Sequence, residues 1–375
     1  MIRVCLFAFI LLMQLSTIIT EGCDSFNNTT IYAQDIHGEN LSFVVNGCIE
    51  PNKELKGDEI RDVLIDSDIT RLGKDSIRNL PKLEWMGILE NNLEILESHA
   101  FRNMPSLKSL NIFGTNLREI PKDVFNSVPT ITTLVLSNNK IDFIASGAFS
   151  NMDSIEVIKL RFNQLTYWNR DWFENCPNLY HIDFSDNKIS IIPRRAFASL
   201  PMLKAIDLGE NKITTIQADA FRNMTNLIYL NLELNRLTVL DERAFPNKIY
   251  IENLSINNNR LNYLPDKLLS KLSIGTINLD QNPWKCPCML RINDWLFFTR
   301  GSVEVSEHPC RTSNDPVCIV PQGNTCKETV EVELTGRYLG NMRNLIESIN
   351  NRFQDKDYYF RSRRVTGELC ISFFS

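Results

Sequence analysis

Residues 179–200 read LYHIDFSDNKISIIPRRAFASL, and this stretch contains a pattern that recurs through most of the chain. Apolar residues stand three and five positions after Leu179, an asparagine stands at eight, and Phe197 follows later. The pattern begins ten times, at Ile60, Leu83, Leu107, Ile131, Ile155, Leu179, Leu203, Leu227, Ile251 and Ile274. Seven consecutive steps are 24 residues long, so the sequence predicts a repeat protein.

Each repeat is predicted to form one short strand, because the apolar residues at positions three and five alternate with polar residues. Their side chains are buried only when neighbouring repeats stack on them. Position eight stands where the strand turns, and a buried amide there can satisfy backbone groups that the turn leaves unpaired. It is held by Asp68, Asn91, Thr115, Asn139, Asn163, Asn187, Asn211, Asn235, Asn259 and Asn282.

A phenylalanine recurs on the other half of the repeat, at Phe101, Phe125, Phe149, Phe173, Phe197, Phe221 and Phe245. An aromatic residue repeated at this spacing is predicted to pack in the core rather than to hold a cofactor. Cys176 occupies an apolar position three residues after Phe173, so we expect it to be a buried free thiol.

The pattern LxxLxLxxNxL with a later phenylalanine closely resembles the leucine-rich repeat family. The resemblance implies an α/β solenoid, a horseshoe of about ten repeats with a parallel concave sheet, disulfide-bonded caps and a short helical tail. The predicted segments are a signal peptide (1–20), an N-terminal cap (21–59), the repeats (60–282), a cysteine-rich C-terminal cap (283–326) and a helical or partly disordered tail (327–375).

The first residues are typical of a secretory signal peptide. Arg3 precedes an apolar run from Val4 to Met13, and cleavage is expected after Thr20 or Gly22. No later stretch reaches the roughly 18 apolar residues that a membrane span needs. We therefore expect a secreted, extracellular protein.

With Cys5 in the signal peptide and Cys176 in the core, eight cysteines remain: Cys23, Cys48, Cys286, Cys288, Cys310, Cys318, Cys326 and Cys370. In an oxidising compartment, disulfides are favoured over metal or redox sites. Cys23 and Cys48 bracket strand-like residues and are predicted to pair. The C-terminal cysteines, followed by an apolar stretch through Leu290, Trp295 and Phe298, resemble the family's C-terminal cap. That resemblance implies Cys286–Cys310 and either Cys288–Cys326 or Cys288–Cys318. Cys370 is left to pair within the chain or between chains.

The tail carries a short stripe of apolar residues at heptad spacing: Leu339, Met342, Ile346, Ile349 and Phe353. The stripe covers two heptads, fewer than a coiled coil needs. Two interpretations stay open, a helix packed on the C-terminal cap and a helix that binds a partner or a second copy.

Glycosylation sequons begin at Asn27, Asn28, Asn40, Asn223 and Asn253. Asn253 belongs to the strand of its repeat and is predicted to lie on the concave face, whereas Asn223 is predicted on the convex side.

The sequence offers no recognisable catalytic chemistry. It contains no metal-binding Cys/His spacing, no GxSxG elbow and no phosphate-binding glycine loop. A net charge of −5 makes nucleic acid and anionic membranes poor partners. We expect no enzyme activity, no cofactor and no metal.

The outward residues of the strands are predicted to form a docking surface for a protein ligand. Exposed apolar residues gather in the N-terminal half, with two basic residues beside them and acidic residues further along. The predicted ligand-binding residues are Trp85, Leu89, Phe113, Val135, Val157, Lys159, Arg161, Phe162, Asp183, Asp207, Tyr229 and Glu233. The alternative interpretation is ordinary solvated strand surface.

Two classes of function remain. The chain is similar to secreted insect leucine-rich repeat proteins of innate immunity, some of which pair through C-terminal helices and cysteines. That resemblance implies an extracellular protein ligand and a dimer through the tail. The alternative is an adhesion or guidance protein of the connectin or chondroadherin kind. Binding of microbial glycan or lipid is a third possibility, for which the strand residues form no dedicated pocket.

Overall fold

The computed structural model describes residues 25–51, 55–304, 318–321 and 323–341. The predicted signal peptide lies outside these ranges. The chain divides into two compact units. Unit 1 comprises Met1–Asn187 and Ser199–Leu203, and unit 2 comprises Lys188–Ala198 and Lys204–Ser375.

The repeats of unit 1 each add one strand to a sheet that begins with a hairpin. The strands are β1 (Phe26–Asp35), β2 (Asn40–Gly47), β3 (Ile60–Ile65), β4 (Trp85–Leu89), β5 (Ser109–Phe113), β6 (Thr133–Val135), β7 (Val157–Lys159) and β8 (His181–Asp183). Their order is β2-β1-β3-β4-β5-β6-β7-β8. β1 runs antiparallel to β2 and β3, and the later neighbours are parallel.

Unit 2 continues the repeat pattern and adds the C-terminal cap. Its parallel strands follow chain order. They are β9 (Ala205–Asp207), β10 (Asn226–Asn231), β11 (Ile249–Ser255), β12 (Leu272–Asn278) and β13 (Ser302–Val303). Its first two helices are α1 (Asp266–Leu269) and α2 (Cys286–Thr299).

Short elements lie on the other half of the repeats. Two-residue parallel strand pairs join Arg71–Leu72 to Ile95–Leu96, Ile77–Arg78 to Phe101–Arg102, Glu119–Ile120 to Phe143–Ile144, and Ile191–Ile192 to Thr215–Ile216. The 3₁₀ helices are Arg170–Phe173 and Glu242–Ala244.

The burial of each strand follows its sequence alternation. In β8, Ile182 is fully buried whereas His181 and Asp183 on either side are half-buried. The repeated phenylalanines stack, with ring centroids 5.6 Å apart between Phe149 and Phe173 in unit 1. Stacked rings and buried alternate positions confirm the predicted leucine-rich repeat solenoid, because each core side chain packs on its counterpart in the next repeat.

The position-eight asparagines connect adjacent repeats through hydrogen bonds. Nδ2 of buried Asn163 donates to the carbonyl oxygens of Leu136 (2.8 Å) and Leu160 (3.0 Å). Its Oδ1 accepts from the backbone N–H of Ile141 at 2.9 Å. Thr115 keeps part of this role, since its hydroxyl lies 2.7 Å from the side-chain oxygen of the next repeat's asparagine.

Cys176 is a buried free thiol, as its position in the repeat predicts. Its Sγ lies 2.9 Å from the carbonyl oxygen of Phe149, and burial raises the pKa of the thiol to about 11.

Alkylation needs the thiolate and access to it, and Cys176 lacks both near neutral pH. We expect iodoacetamide to leave Cys176 unmodified in the native protein and to modify it in denaturant. Mass spectrometry of the peptides measures this, and rapid native labelling would contradict the burial.

One disulfide of the C-terminal cap differs from the pairing that the family resemblance implies. Trp284–Lys285 pairs in parallel with Cys318–Ile319, which places Cys318 beside Cys286 with Cα atoms 4.9 Å apart. The Cys286–Cys310 pairing is wrong, because this strand pair holds Cys318 next to Cys286. Cys310 lies outside the described residues.

The second cap disulfide joins Cys288 to Cys326, with Cα atoms 4.6 Å apart, which is one of the two pairings that the sequence leaves open. At the other end of the chain, Cys48 is disulfide-bonded. Its predicted partner Cys23 lies outside the described residues, and so does Cys370.

The apolar stretch of the C-terminal cap forms helix α2, which buries one face. The buried residues are Cys288, Met289, Ile292 and Leu296. Leu290 and Phe298, by contrast, are 66% and 80% exposed. Cys288, which forms the disulfide with Cys326, belongs to the buried face.

The described part of the tail packs on the last repeat of unit 2. Residues 332–341 are helical, and Thr335 is buried, with its hydroxyl oxygen accepting from Nδ2 of Asn262 at 3.2 Å. This contact joins the start of the tail to the last repeat, and both interpretations of the apolar stripe stay open. Leu339 is half-buried, and the rest of the predicted stripe (Met342, Ile346, Ile349 and Phe353) lies outside the described residues.

Candidate functional site

A row of apolar side chains crosses the outer side of the sheet in unit 1, from the N-terminal hairpin into the repeats. Tyr32 stands opposite Leu64, and Leu64 stands opposite Gly87. Further along the same strands, Leu89 stands opposite Phe113. We define the apolar strip as Tyr32, Leu64, Trp85, Leu89 and Phe113. Tyr32 is 45% exposed and the others are half-buried, so the strip is accessible from solvent.

Trp85 lies across a glycine that makes room for its indole. A Cβ atom at Gly87 would lie 2.3 Å from Cη2 of Trp85, so only glycine lets the ring lie flat on the strand. With the Asn111 amide oriented to fit its neighbours, its oxygen accepts from Nε1 of Trp85 at 3.2 Å. The indole is therefore held in one place with its polar atom satisfied.

The predicted valines lie beyond the strip, among polar neighbours. Val135 stands opposite Lys159, and Val157 stands opposite His181. Burial, with the positive charge of Lys159, lowers the pKa of His181 below its ordinary value. His181 is therefore neutral near pH 7, and the charge of this region is carried by Lys159 and by Asp183 opposite it.

The predicted basic group at Arg161 is engaged by neighbours in its own unit. Nε of Arg161 donates to Oδ2 of Asp186 at 3.0 Å, and the guanidinium carbon lies 4.5 Å from the ring centroid of Phe162. Phe162 is 43% exposed in the turn after β7. Lys159 is therefore the more available of the two predicted cations.

In unit 2, the predicted acidic residues belong to an amide–carboxylate network. Oδ1 of Asp207 accepts from Nδ2 of Asn231 at 3.0 Å, and Oε2 of Glu233 accepts from Nδ2 of Asn257 at 3.0 Å. Tyr229 is half-buried on the same side of the strands. These hydrogen bonds organise the strand surface, so both acids have a structural role beside any role in binding.

The five sequons occupy different environments. Asn27, Asn28, Asn40 and Asn223 are exposed. Asn253 is half-buried in β11, where its Nδ2 donates to the Ile228 carbonyl (3.1 Å) and its Oδ1 accepts from the Thr276 hydroxyl (2.8 Å).

Tyr32 and Leu64 were not among the residues predicted from the sequence. The alternation of side chains along residues 26–35 and 60–65 could have indicated which residues face solvent, since the polar or accessible residues of each segment lie mostly on one side of its strand. The antiparallel register that aligns Tyr32 with Leu64 was not readable from the repeat pattern.

A family model for the BspA-type leucine-rich repeat region matches residues 51–180 and 166–285 in six copies. These matches cover more than half of the chain. The chain belongs to the leucine-rich repeat family. No curated protein sequence matches it significantly.

Two solved structures share the leucine-rich repeat fold. The mouse RP105/MD-1 complex matches with a TM-score of 0.56 and 20% identity, over 73% of this chain and 45% of that one. The Drosophila Toll–Spatzle complex matches with a TM-score of 0.50 and 19% identity, over 70% of this chain and 40% of that one. The chain spans less than half the length of either protein.

Two further observations bear on the site. Within the ranges that the structure describes, no group of three His, Cys, Asp or Glu side chains is placed to hold a metal ion. Among those same residues, no helix is both long and apolar enough to cross a membrane.

Proposed function

We propose that this leucine-rich repeat protein is a secreted, extracellular binding protein without catalytic activity, and that it docks a protein ligand on the apolar strip of unit 1. The observation that carries the proposal is the fixed, half-buried indole of Trp85, flanked by four further apolar side chains. Folding does not require apolar residues on the solvent side of a strand, and accessible aromatic clusters favour protein partners.

The chemistry of the strip indicates what the ligand presents. An apolar side chain can pack on the indole of Trp85 and on the neighbouring Leu89 and Phe113. Lys159, two repeats beyond Phe113, can pair with a carboxylate on the same ligand. We therefore propose an extracellular protein with an exposed apolar segment next to an acidic residue.

The related structures are consistent with this role. RP105 and Toll were each solved with another protein, MD-1 and Spatzle, and the Toll–Spatzle complex is described as a hub in development and innate immunity. On this basis, and on the resemblance to secreted insect immune proteins, we propose a role in innate immunity for this chain.

The test begins with a photo-crosslinking amino acid at position 113 and a matched one at position 143. Phe143 is 45% exposed but lies in a short strand outside the main sheet, so it serves as the control. The probe is the total extracellular protein of the source tissue. A protein crosslinked at 113 and not at 143 is then purified for affinity measurements.

We expect the triple substitution Trp85→Ser, Leu89→Ser and Phe113→Ser to weaken binding of that protein at least roughly 100-fold, because each anchor contributes about 1–2 kcal/mol. Phe143→Ser should leave the affinity unchanged. Gly87→Val should also weaken binding, since it displaces the indole without removing it. Unchanged affinity in the triple variant would place the ligand elsewhere and refute the proposal.

A further inference from the structure

Strand β2 forms the open end of the sheet in unit 1. Among the strands of the described residues, only β1 pairs with it. β2 is eight residues long, reads NLSFVVNG, and contains no charged residue and no proline. The ladder between β1 and β2 shifts register once, between Phe26 and Thr29 of β1, and β2 is regular from Asn40 to Val45. Proteins usually protect an edge of this length with charges or prolines, because its unpaired backbone groups attract another strand.

The hydrogen-bond pattern of the hairpin identifies the residues that face outward. The N–H of Asp35 donates to the carbonyl of Glu39 (3.1 Å), and Gln34 stands opposite Asn40. Hydrogen-bonded pairs alternate along an antiparallel ladder. The next bonded positions of β2 are therefore Leu41, Phe43 and Val45, while Ser42 and Val44 direct their N–H and C=O groups away from β1.

The side chains of this edge extend the apolar character of the sheet. Val44 is 58% exposed and lies on the same side of the hairpin as Tyr32, which is 45% exposed. An added strand would cover Val44 while its backbone satisfied the outward groups of β2. The edge therefore offers both backbone pairing and apolar contact.

We propose that β2, where Asn40 carries no glycan, pairs antiparallel with β2 of a second copy of this chain. An antiparallel pair of identical strands satisfies two-fold symmetry, so each copy supplies the same groups and the assembly closes as a dimer. The uncharged strand creates no like-charge repulsion between copies and provides no charge that would select a different partner. The dimer would place two apolar strips in one continuous sheet surface.

The sequon at Asn40 is part of this edge, because Asn40 is the exposed first residue of β2. A glycan there would stand beside the incoming strand. The test therefore uses the full chain with Asn40→Gln, which removes the acceptor without changing the length of the strand.

Sedimentation of N40Q over a concentration series measures its self-association, and a non-reducing gel distinguishes a covalent dimer. We expect a reversible dimer. Adding Val44→Pro should weaken it roughly tenfold or more, because the dimer loses two outward N–H donors while the ladder to β1 is kept. Val44→Thr, which keeps the donor, should dimerise like N40Q.

Val44→Lys provides a second test that leaves the backbone intact, since it adds like charges to the paired strands. It should also dissociate the dimer. A monomeric N40Q would overturn the proposal, and so would a dimer that survives both Val44→Pro and Val44→Lys. The triple substitution of the apolar strip should leave dimerisation unchanged, which separates this inference from the proposed ligand site.

Discussion

We expect Lys285→Ala to release residues 327–341 from the rest of unit 2 and to lower the free energy of unfolding of the cap by about 2–3 kcal/mol, because buried carbonyl groups lose their donor. Lys285 is only 1% exposed, although it carries a charge. Its Nζ donates to the carbonyl oxygens of Lys327 (3.0 Å) and Thr329 (2.8 Å), and lies 2.7 Å from Oε1 of Glu331. Removing it leaves these acceptors without their buried cation.

A second buried group holds the same segment. Asn262 is fully buried, and its Oδ1 accepts from the backbone N–H of Glu331 at 2.8 Å while its Nδ2 donates to the Pro283 carbonyl at 2.8 Å. Asn262 alone keeps part of the attachment, so Lys285→Ala should loosen the segment without unfolding the repeats. Buried polar networks of this kind specify one arrangement when every member is paired.

Amide hydrogen exchange of residues 327–341 measures the release, and chemical denaturation measures the loss of stability. Lys267→Ala is the matched control, because Lys267 is an exposed lysine on α1 of the same unit. It should leave both measurements unchanged. Equal protection of the segment in Lys285→Ala and in the wild-type chain would show that the contacts to Lys285 do not hold it.

Nothing in the sequence distinguishes Lys285 from a surface lysine. Its partners are 42 and 44 residues away in a segment without periodicity, so no local pattern could predict the contact. The repeats were predictable for the opposite reason. Each core residue, such as Ile182, packs on its counterpart one repeat away, and the spacing in the sequence reports that contact directly.

For the cap disulfides and the apolar strip, too, the sequence predicted only the features that follow the regular repeat spacing. The pairing of Cys286 was inferred from the family resemblance. The strand pair that brings Cys318 to Cys286 has only two residues in each strand, which is too short to be visible as a sequence pattern. Trp85, Leu89 and Phe113 were predicted because they occupy outward positions of regular repeats. Tyr32 was missed because it lies in the antiparallel hairpin that precedes the repeats. Leu64 stands four positions after Ile60, the same outward offset as Val135 after Ile131, so the repeat pattern did contain the signal for it.

Asn163→Ala is expected to lower the free energy of unfolding of unit 1 by about 3 kcal/mol, since each buried backbone group left unpaired costs about 1–3 kcal/mol. The substitution removes a side chain that bonds Leu136, Leu160 and Ile141 across two repeats. Water cannot replace it easily, because Asn163 is only 6% exposed. Stability in a repeat protein depends on each interface between neighbours, so one weakened interface affects the repeats on both sides.

Denaturation followed by fluorescence measures this change, with Asn126→Ala as the control. Asn126 is exposed and its amide bonds only a nearby side chain, Asp123, so its removal should leave stability unchanged. Thr115→Asn tests the reverse change. Among the described position-eight residues, Thr115 is the one at which a hydroxyl replaces the side-chain amide. If Thr115→Asn is more stable and Asn163→Ala less stable than the wild-type chain, the side-chain amides at position eight contribute directly to the free energy of unfolding. If Asn163→Ala were as stable as Asn126→Ala, the position-eight asparagines would fix the geometry of the turns but contribute little to the free energy of unfolding.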